Sequence, residues 1–163
     1  KLMNGEIGVE SELTKGATFQ LSFDLELDQT EVDNSDQEID LTDEQRKILV
    51  CEDNVVNQRI LEMLLQKMNC HVTIANDGTE ALEQLTTNTY DLVFMDIQMP
   101  DMNGNDVTRR VFEQQAEFAT PIIALTASAL EEDREECLAA GMKGFLSKPI
   151  REQDLRAQFK IWL

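Results

Sequence analysis

From Phe19 to Leu27, apolar Phe19, Leu21, Phe23, Leu25 and Leu27 alternate with polar Gln20, Ser22, Asp24 and Glu26. Strict period-two alternation predicts a strand with one buried face. Ile7 and Val9 alternate likewise before Leu13-Thr14-Lys15-Gly16, whose composition suits a turn, so residues 1–27 predict a β-hairpin. A two-stranded hairpin is marginal alone and needs a partner for its apolar face. Residues 28–46 have no period: eight acids precede the single base, Arg46, with no aromatics. Such a segment buries too little surface to offset chain entropy and predicts an acidic linker.

From residue 47 the pattern changes to short apolar runs separated by helical periodicities. The runs Lys47–Cys51, Val72–Ala75, Leu92–Met95, Ile122–Leu125 and Gly144–Leu146 predict strands. Val55–Met68, Gly78–Thr87, Asn105–Gln115, Leu130–Ala140 and Arg151–Trp162 space their apolar residues three and four apart and predict helices. In the first, Val56, Ile60, Leu61, Leu64, Leu65 and Met68 form the stripe, while Asn57 and Arg59 are expected to be exposed. Gly141 sits where a left-handed helix cap is expected. Five strands, each followed by a helix, predict right-handed crossovers and an α/β fold with a doubly wound, five-stranded parallel sheet.

Composition narrows the function. The 163 residues carry 32 acids and 14 bases, a formal charge of -18, which disfavours binding to nucleic acid or to an anionic membrane. Residues 1–46 hold 13 acids and 3 bases, so the charge is concentrated ahead of the α/β segment. No apolar run reaches the roughly 20 residues of a membrane span. Cys51, Cys70 and Cys137 lack metal-ligand spacing and suit reduced, buried thiols of a cytosolic protein. The chain opens on Lys1 without a signal peptide, as expected of a piece of a longer protein.

In open parallel sheets, ligands bind beyond the carboxyl ends of the strands. Those ends carry Glu52-Asp53-Asn54, Asp96, Thr126-Ala127 and Ser147-Lys148-Pro149. Three carboxylates on one rim repel unless a cation or proton sits among them, and oxygen-only ligands suit Mg2+. An aspartate can act as a nucleophile toward phosphorus, and a lysine and a hydroxyl can stabilise the charge of the moving phosphoryl group. Each feature alone suits a turn, a cap or a surface residue. Together they predict a phosphoryl-acceptor site.

The stretches ILVCEDNVVNQ, DLVFMDIQMPDMNG, IIALTASA and GFLSKPI make residues 47–163 resemble the receiver domain of two-component signalling, a flavodoxin-like fold. VNQ after the acid pair, with MDIQMPDMNG, is most similar to receivers of hybrid sensor histidine kinases. The resemblance implies that Asp96 is the phosphoacceptor. It implies that Asp53 binds Mg2+ directly, with Asp96, that Glu52 assists through water, and that the Gln98 backbone carbonyl is a further ligand. Lys148 would contact the phosphoryl group, and Thr126 would donate a hydrogen bond to it and move on activation. Phe145 matches the aromatic switch position, where the family often has Tyr or His. The bond before Pro149 is expected to be cis.

The stretch KLMNGEIGVESELTKGATFQLSFDL is similar to the last strands of a histidine-kinase ATP-binding domain, with Asn4 and Thr14 in place of glycines and Ala17 where Ser or Gly is usual. Thr18 would map to the nucleotide pocket, but the kinase core is absent. His71, the sole histidine, lies outside any kinase-like helix and reads as structural. The resemblances imply three parts: ATPase-domain strands at 1–27, an acidic linker at 28–46 and a receiver at 47–163. The implied partners are a histidine kinase core, in cis or in trans, and a histidine-phosphotransfer domain docking on the first helix of the receiver. Neither nucleic acid nor direct membrane contact is expected. The implied location is cytoplasmic, with inner-membrane anchoring of the parent left open. Three alternatives stay in view. A degenerate receiver acting only as a binding module is countered by the intact site residues. A dehalogenase-type phosphatase would need an Asp where Gln98 stands. A dinucleotide fold would need a GxGxxG after the first strand of the α/β segment.

Overall fold

The computed structural model describes residues 6–12, 16–22, 45–127 and 131–163. The chain divides into two compact units, Lys1–Ile39 and Asp40–Leu163. In the first, β1 (Glu6–Glu12) and β2 (Gly16–Ser22) pair antiparallel. The register sets Ile7 opposite Leu21 and Val9 opposite Phe19, so the alternating apolar positions share one face. Thr18 pairs with Glu10. The second strand starts at Gly16, three residues before the alternation begins, because backbone pairing of Glu12 with Gly16 needs no apolar side chain. The expected turn residues 13–15, the expected strand end at 23–27 and residues 28–44 of the expected acidic linker lie outside the described residues.

The second unit is a five-stranded parallel sheet in the order β4-β3-β5-β6-β7. Its strands are β3 (Arg46–Cys51), β4 (Cys70–Ala75), β5 (Leu92–Asp96), β6 (Ile122–Thr126) and β7 (Gly144–Ser147). β3 takes in Arg46, which the sequence pattern places in the linker, because the ladder to β4 extends to an Arg46–Cys70 pair. The central strands β5 and β6 are buried throughout, whereas β4 is an edge strand that exposes His71. The unbroken apolar runs conceal a period of two. Leu49, Cys51, Val93, Met95 and Ala124 join one core, and Ile48, Val50, Leu92, Phe94 and Ile123 join the other. Two-sided burial is what a doubly wound sheet requires.

The helices are α1 (Val55–Lys67), α2 (Gly78–Thr87), α3 (Gly104–Gln114), α4 (Glu131–Ala140) and α5 (Glu152–Trp162). Residues of α1 and α5 fill one core, and residues of α2, α3 and α4 fill the other. Asn54, Asp77 and Asn103 cap α1, α2 and α3 through their side-chain oxygens. Gly141 adopts φ +109°, and an added Cβ there would meet the Phe112 ring at 2.6 Å. The expected first residue of α4, Leu130, lies outside the described residues.

One helix departs from expectation. Of the α1 stripe, Leu61, Leu65 and Met68 are buried, Leu64 is half-buried, and Val56 and Ile60 are exposed. Gln58 is buried in their place and Asn57, expected to be exposed, is half-buried. The first turn of α1 leans over the acid pair, so its inward positions meet polar groups. All three cysteines are free and buried. No helix among the described residues is long and apolar enough to cross a membrane.

Candidate functional site

The strand order reverses direction between β3 and β5, and a doubly wound sheet opens its ligand crevice at that switch point. Glu52 and Asp53 follow β3, and Asp96 is the last residue of β5. A carboxylate oxygen from each of Glu52, Asp53 and Asp96 lies within 4.8 Å of the others. Glu52 is fully buried and Asp96 is 4% exposed, while Asp53 is open to solvent. Buried carboxylates are costly unless paired. Glu52 Oε1 accepts from Asn57 Nδ2 at 2.9 Å and from the Asn54 N–H at 3.4 Å. Asp96 Oδ1 accepts from the Gln98 N–H at 3.1 Å. The remaining oxygens share one cation: Lys148 Nζ stands 2.6 Å from Glu52 Oε2 and 2.5 Å from Asp96 Oδ2.

Lys148 reaches the crevice from the end of β7. Its N–H donates to the Thr126 carbonyl at 2.7 Å, so the loop after β7 runs beside the end of β6. The Lys148–Pro149 bond is cis, as expected. Thr126 closes β6 and is buried, in register with Ser147. Phe145 is half-buried in β7, opposite Ala124, with the Arg134 guanidinium 4.2 Å from its ring centroid. Gln98 is exposed in the loop after β5.

Three carboxylates face one ammonium, and the electrostatics follow from that imbalance. Burial pushes the Asp96 carboxyl above its ordinary range and the neighbouring Glu52 adds to the rise, against the opposing pull of Lys148 and the Gln98 N–H. For Lys148, burial disfavours the ammonium, but hydrogen bonds and charge from Asp96 and Glu52 outweigh it and raise the pKa. The cluster therefore has spare negative charge, oxygen-only donors and one solvent-exposed acid. Those features suit a hard divalent ion that keeps part of its water shell.

The predicted Glu52, Asp53, Asp96 and Lys148 are brought together, and Thr126 is adjacent through the backbone bond to Lys148. Phe145 faces Arg134. Three residues of the site carry roles that the sequence pattern does not reveal, Asn57 among them although it is expected to be exposed. Asn57 holds the Glu52 side chain. Gln58 Nε2 donates to the Glu52 carbonyl at 2.6 Å and to Asn76 Oδ1 at 3.1 Å. Gly104 admits no side chain, since a Cβ would meet the Asp96 carbonyl at 2.3 Å. The available signal was two adjacent amides interrupting the apolar side of α1.

Residues 48–160 match the family model of the response regulator receiver domain. The chain belongs to this family. This receiver domain is 40% identical over 158 residues to the autoinducer 2 sensor kinase/phosphatase LuxQ of Vibrio vulnificus, covering 95% of the chain and 18% of that protein. It is 38% identical over 161 residues to the aerobic respiration control sensor protein ArcB of Escherichia coli, covering 98% of the chain and 21% of ArcB. The chain thus spans about a fifth of the length of these curated relatives. Among solved structures, it matches the receiver domain of sensor histidine kinase PA1611 of Pseudomonas aeruginosa at 39% identity and a TM-score of 0.68, covering 73% of the chain and 98% of that domain. The PA1611 domain was crystallised with a magnesium ion coordinated in its active-site cleft.

Proposed function

We propose that this receiver domain accepts a phosphoryl group from a phosphohistidine onto Asp96, then passes it to a histidine-phosphotransfer domain or loses it to water. The observation that carries this reading is the position of Asp96. It ends a fully buried strand within a cluster of three carboxylates, with Lys148 Nζ 2.5 Å from its Oδ2. An Asp96 oxygen attacks phosphorus in line, the new O–P bond forms as the P–N bond breaks, and the imidazole leaves with the electron pair and takes up a proton. Lys148 then pairs with a phosphoryl oxygen, and the Thr126 hydroxyl donates to another. The carboxylates of Asp53 and Asp96 and the Gln98 carbonyl would hold Mg2+, with Glu52 assisting through water. When bound, the ion supplies charge neutralisation between the acids and the incoming group.

The hybrid kinase relatives support placing the chain toward the end of a longer cytoplasmic signalling protein, with residues 1–27 as the last strands of an ATPase domain and the acidic segment as a linker. The phosphohistidine partner must approach the rim that holds Asp96. α1 begins there and exposes Val56, Ile60 and Met63, which lie three and four residues apart on one stripe. A helical histidine-phosphotransfer bundle suits such a stripe. Phe145 is assigned the switch role on its place in β7, without the hydroxyl that a tyrosine would bring.

The test is mass spectrometry after incubation with a phosphorylated kinase core and Mg2+. One added phosphate on the peptide containing Asp96 is expected. Phosphate elsewhere, or labelling undiminished by excess chelator, would overturn the assignment. Amide-shift perturbations with a phosphotransfer domain should centre on α1; shifts confined to β6 and α4 would reject the docking surface.

A further inference from the structure

The acid pair and Gln98 belong to different loops, one after β3 and one after β5, and among the described residues no hydrogen bond joins the two loops directly. Both are tied instead to a third element, the first turn of α2. On one side, Gln58 Nε2 bridges the Glu52 carbonyl and Asn76 Oδ1. Asn76 is fixed in turn by Glu80, whose Oε2 accepts from the Asn76 N–H and from its Nδ2, both at 2.8 Å. On the other side, the Thr79 hydroxyl donates to Asp101 Oδ2 and the Gly78 N–H donates to Asp101 Oδ1 at 3.3 Å.

The second tie is built into the backbone. Asp101 takes φ +64°, a conformation that Asp tolerates better than most residues. This turns its carboxylate toward α2, where the Thr79 hydroxyl holds the acid below its ordinary range. Gly78 allows the loop to come close, since a Cβ there would meet the Met102 carbonyl at 2.3 Å. At its far end the loop is anchored again, with the Gly104 N–H donating to the Ile97 carbonyl at 3.0 Å. Gln98 therefore lies in a short segment fixed at β5, at α2 and at α3.

We propose that the first turn of α2, which supplies no ligand, is a positioning element for the metal site: it sets the separation between the acid pair and the Gln98 carbonyl, with Thr79 and Asp101 as positioning residues on one arm and Asn76 and Glu80 on the other. The inference rests on the reading of these groups as a Mg2+ site. Outer groups that orient ligands govern metal affinity without touching the ion. Thr79 and Asp101 are both exposed, so their substitution spares the core.

The test is calorimetric titration of the full chain with Mg2+, together with thermal melting and amide spectra of the metal-free protein. Thr79→Val and Asp101→Gly should each weaken Mg2+ affinity by about threefold to tenfold, the scale of one lost ordering hydrogen bond. Glu80→Ala should do the same from the other arm. Thr79→Ser keeps the hydroxyl and should bind as the unaltered chain does. The Gln98 amide resonance should shift in Thr79→Val before any metal is added. Unchanged affinity in both Thr79→Val and Asp101→Gly, even with a lowered melting temperature, would overturn the proposal while leaving the metal site standing. Absence of Mg2+ binding by the unaltered chain would overturn the site reading and the positioning role with it.

Discussion

At the amino-terminal rim of the five-stranded sheet, Asp91 accepts the Lys47 N–H at 2.7 Å and faces Arg46 at 3.8 Å, and Thr120 donates to the Tyr90 carbonyl at 3.0 Å. At the opposite rim, Glu52, Asp53 and Asp96 crowd together and Glu52 and Asp96 share the single ammonium of Lys148. The first rim pairs an acid with adjacent donors in partly exposed surroundings. The second buries two acids and leaves their charge in excess. Self-satisfied polar groups at strand ends serve the fold. Unbalanced buried charge costs stability, and its retention points to work done on a charged ligand.

The contrast breaks most severely if the reacting group is misassigned. Asp96→Asn should abolish labelling by a small phosphodonor such as acetyl phosphate, as read by intact mass. Lys148→Ala should slow the same labelling by about a hundredfold, the usual scale for losing one charge-stabilising donor. Full labelling of either variant would remove the carboxyl rim from the chemistry.

A smaller effect of the opposite sign is expected on stability. Because the Asp96 pKa is raised in the fold, its contribution to stability is present at pH below 3.8 and is lost as pH rises through the folded value. At neutral pH the ionised Asp96 therefore destabilises the metal-free chain. Asp96→Asn should raise the melting temperature by a few degrees there, and the gain should close as pH falls toward 3.8. Lys148 behaves in the reverse sense: its contribution is complete below 10.5 and is lost as pH rises through its raised value. Thermal melts across pH without metal check both signs.

The smallest effect belongs to the amino-terminal rim. Asp91→Ala should cost about 1 kcal/mol, since it removes one backbone hydrogen bond and a partly exposed ion pair. Labelling of Asp96 should be unchanged. A loss of labelling without a loss of fold would show that the two rims are coupled and that the division between them is wrong.

The spacing of apolar positions was sufficient to place the five parallel strands and five helices, because burial on both faces of a sheet demands unbroken apolar runs and crossovers demand amphipathic helices between them. Strand ends were equally legible, and with them the residues that reach the ligand crevice. The first turn of α1 was not. Spacing alone leaves Val56, Ile60 and Leu64 to divide between the core and a partner; Val56 and Ile60 face solvent, while Gln58 is buried. Periodicity counts apolar residues and cannot see that the neighbouring surface is polar, where an amide satisfies groups that an aliphatic side chain would strand.

The architecture, the identity of the acids and of the lysine, and their common rim are legible in the residue pattern, since each depends on local spacing and on the fixed direction of parallel strands. How those groups share their charges comes from packing: Glu52 is fully buried while Asp53 is open to solvent, one ammonium serves both Glu52 and Asp96, and Asp101 reaches across to α2. The physical reason is distance along the chain. Asp96 and Lys148 are 52 residues apart, and contacts of that span are fixed by how strands pack and loops close, which no local pattern records.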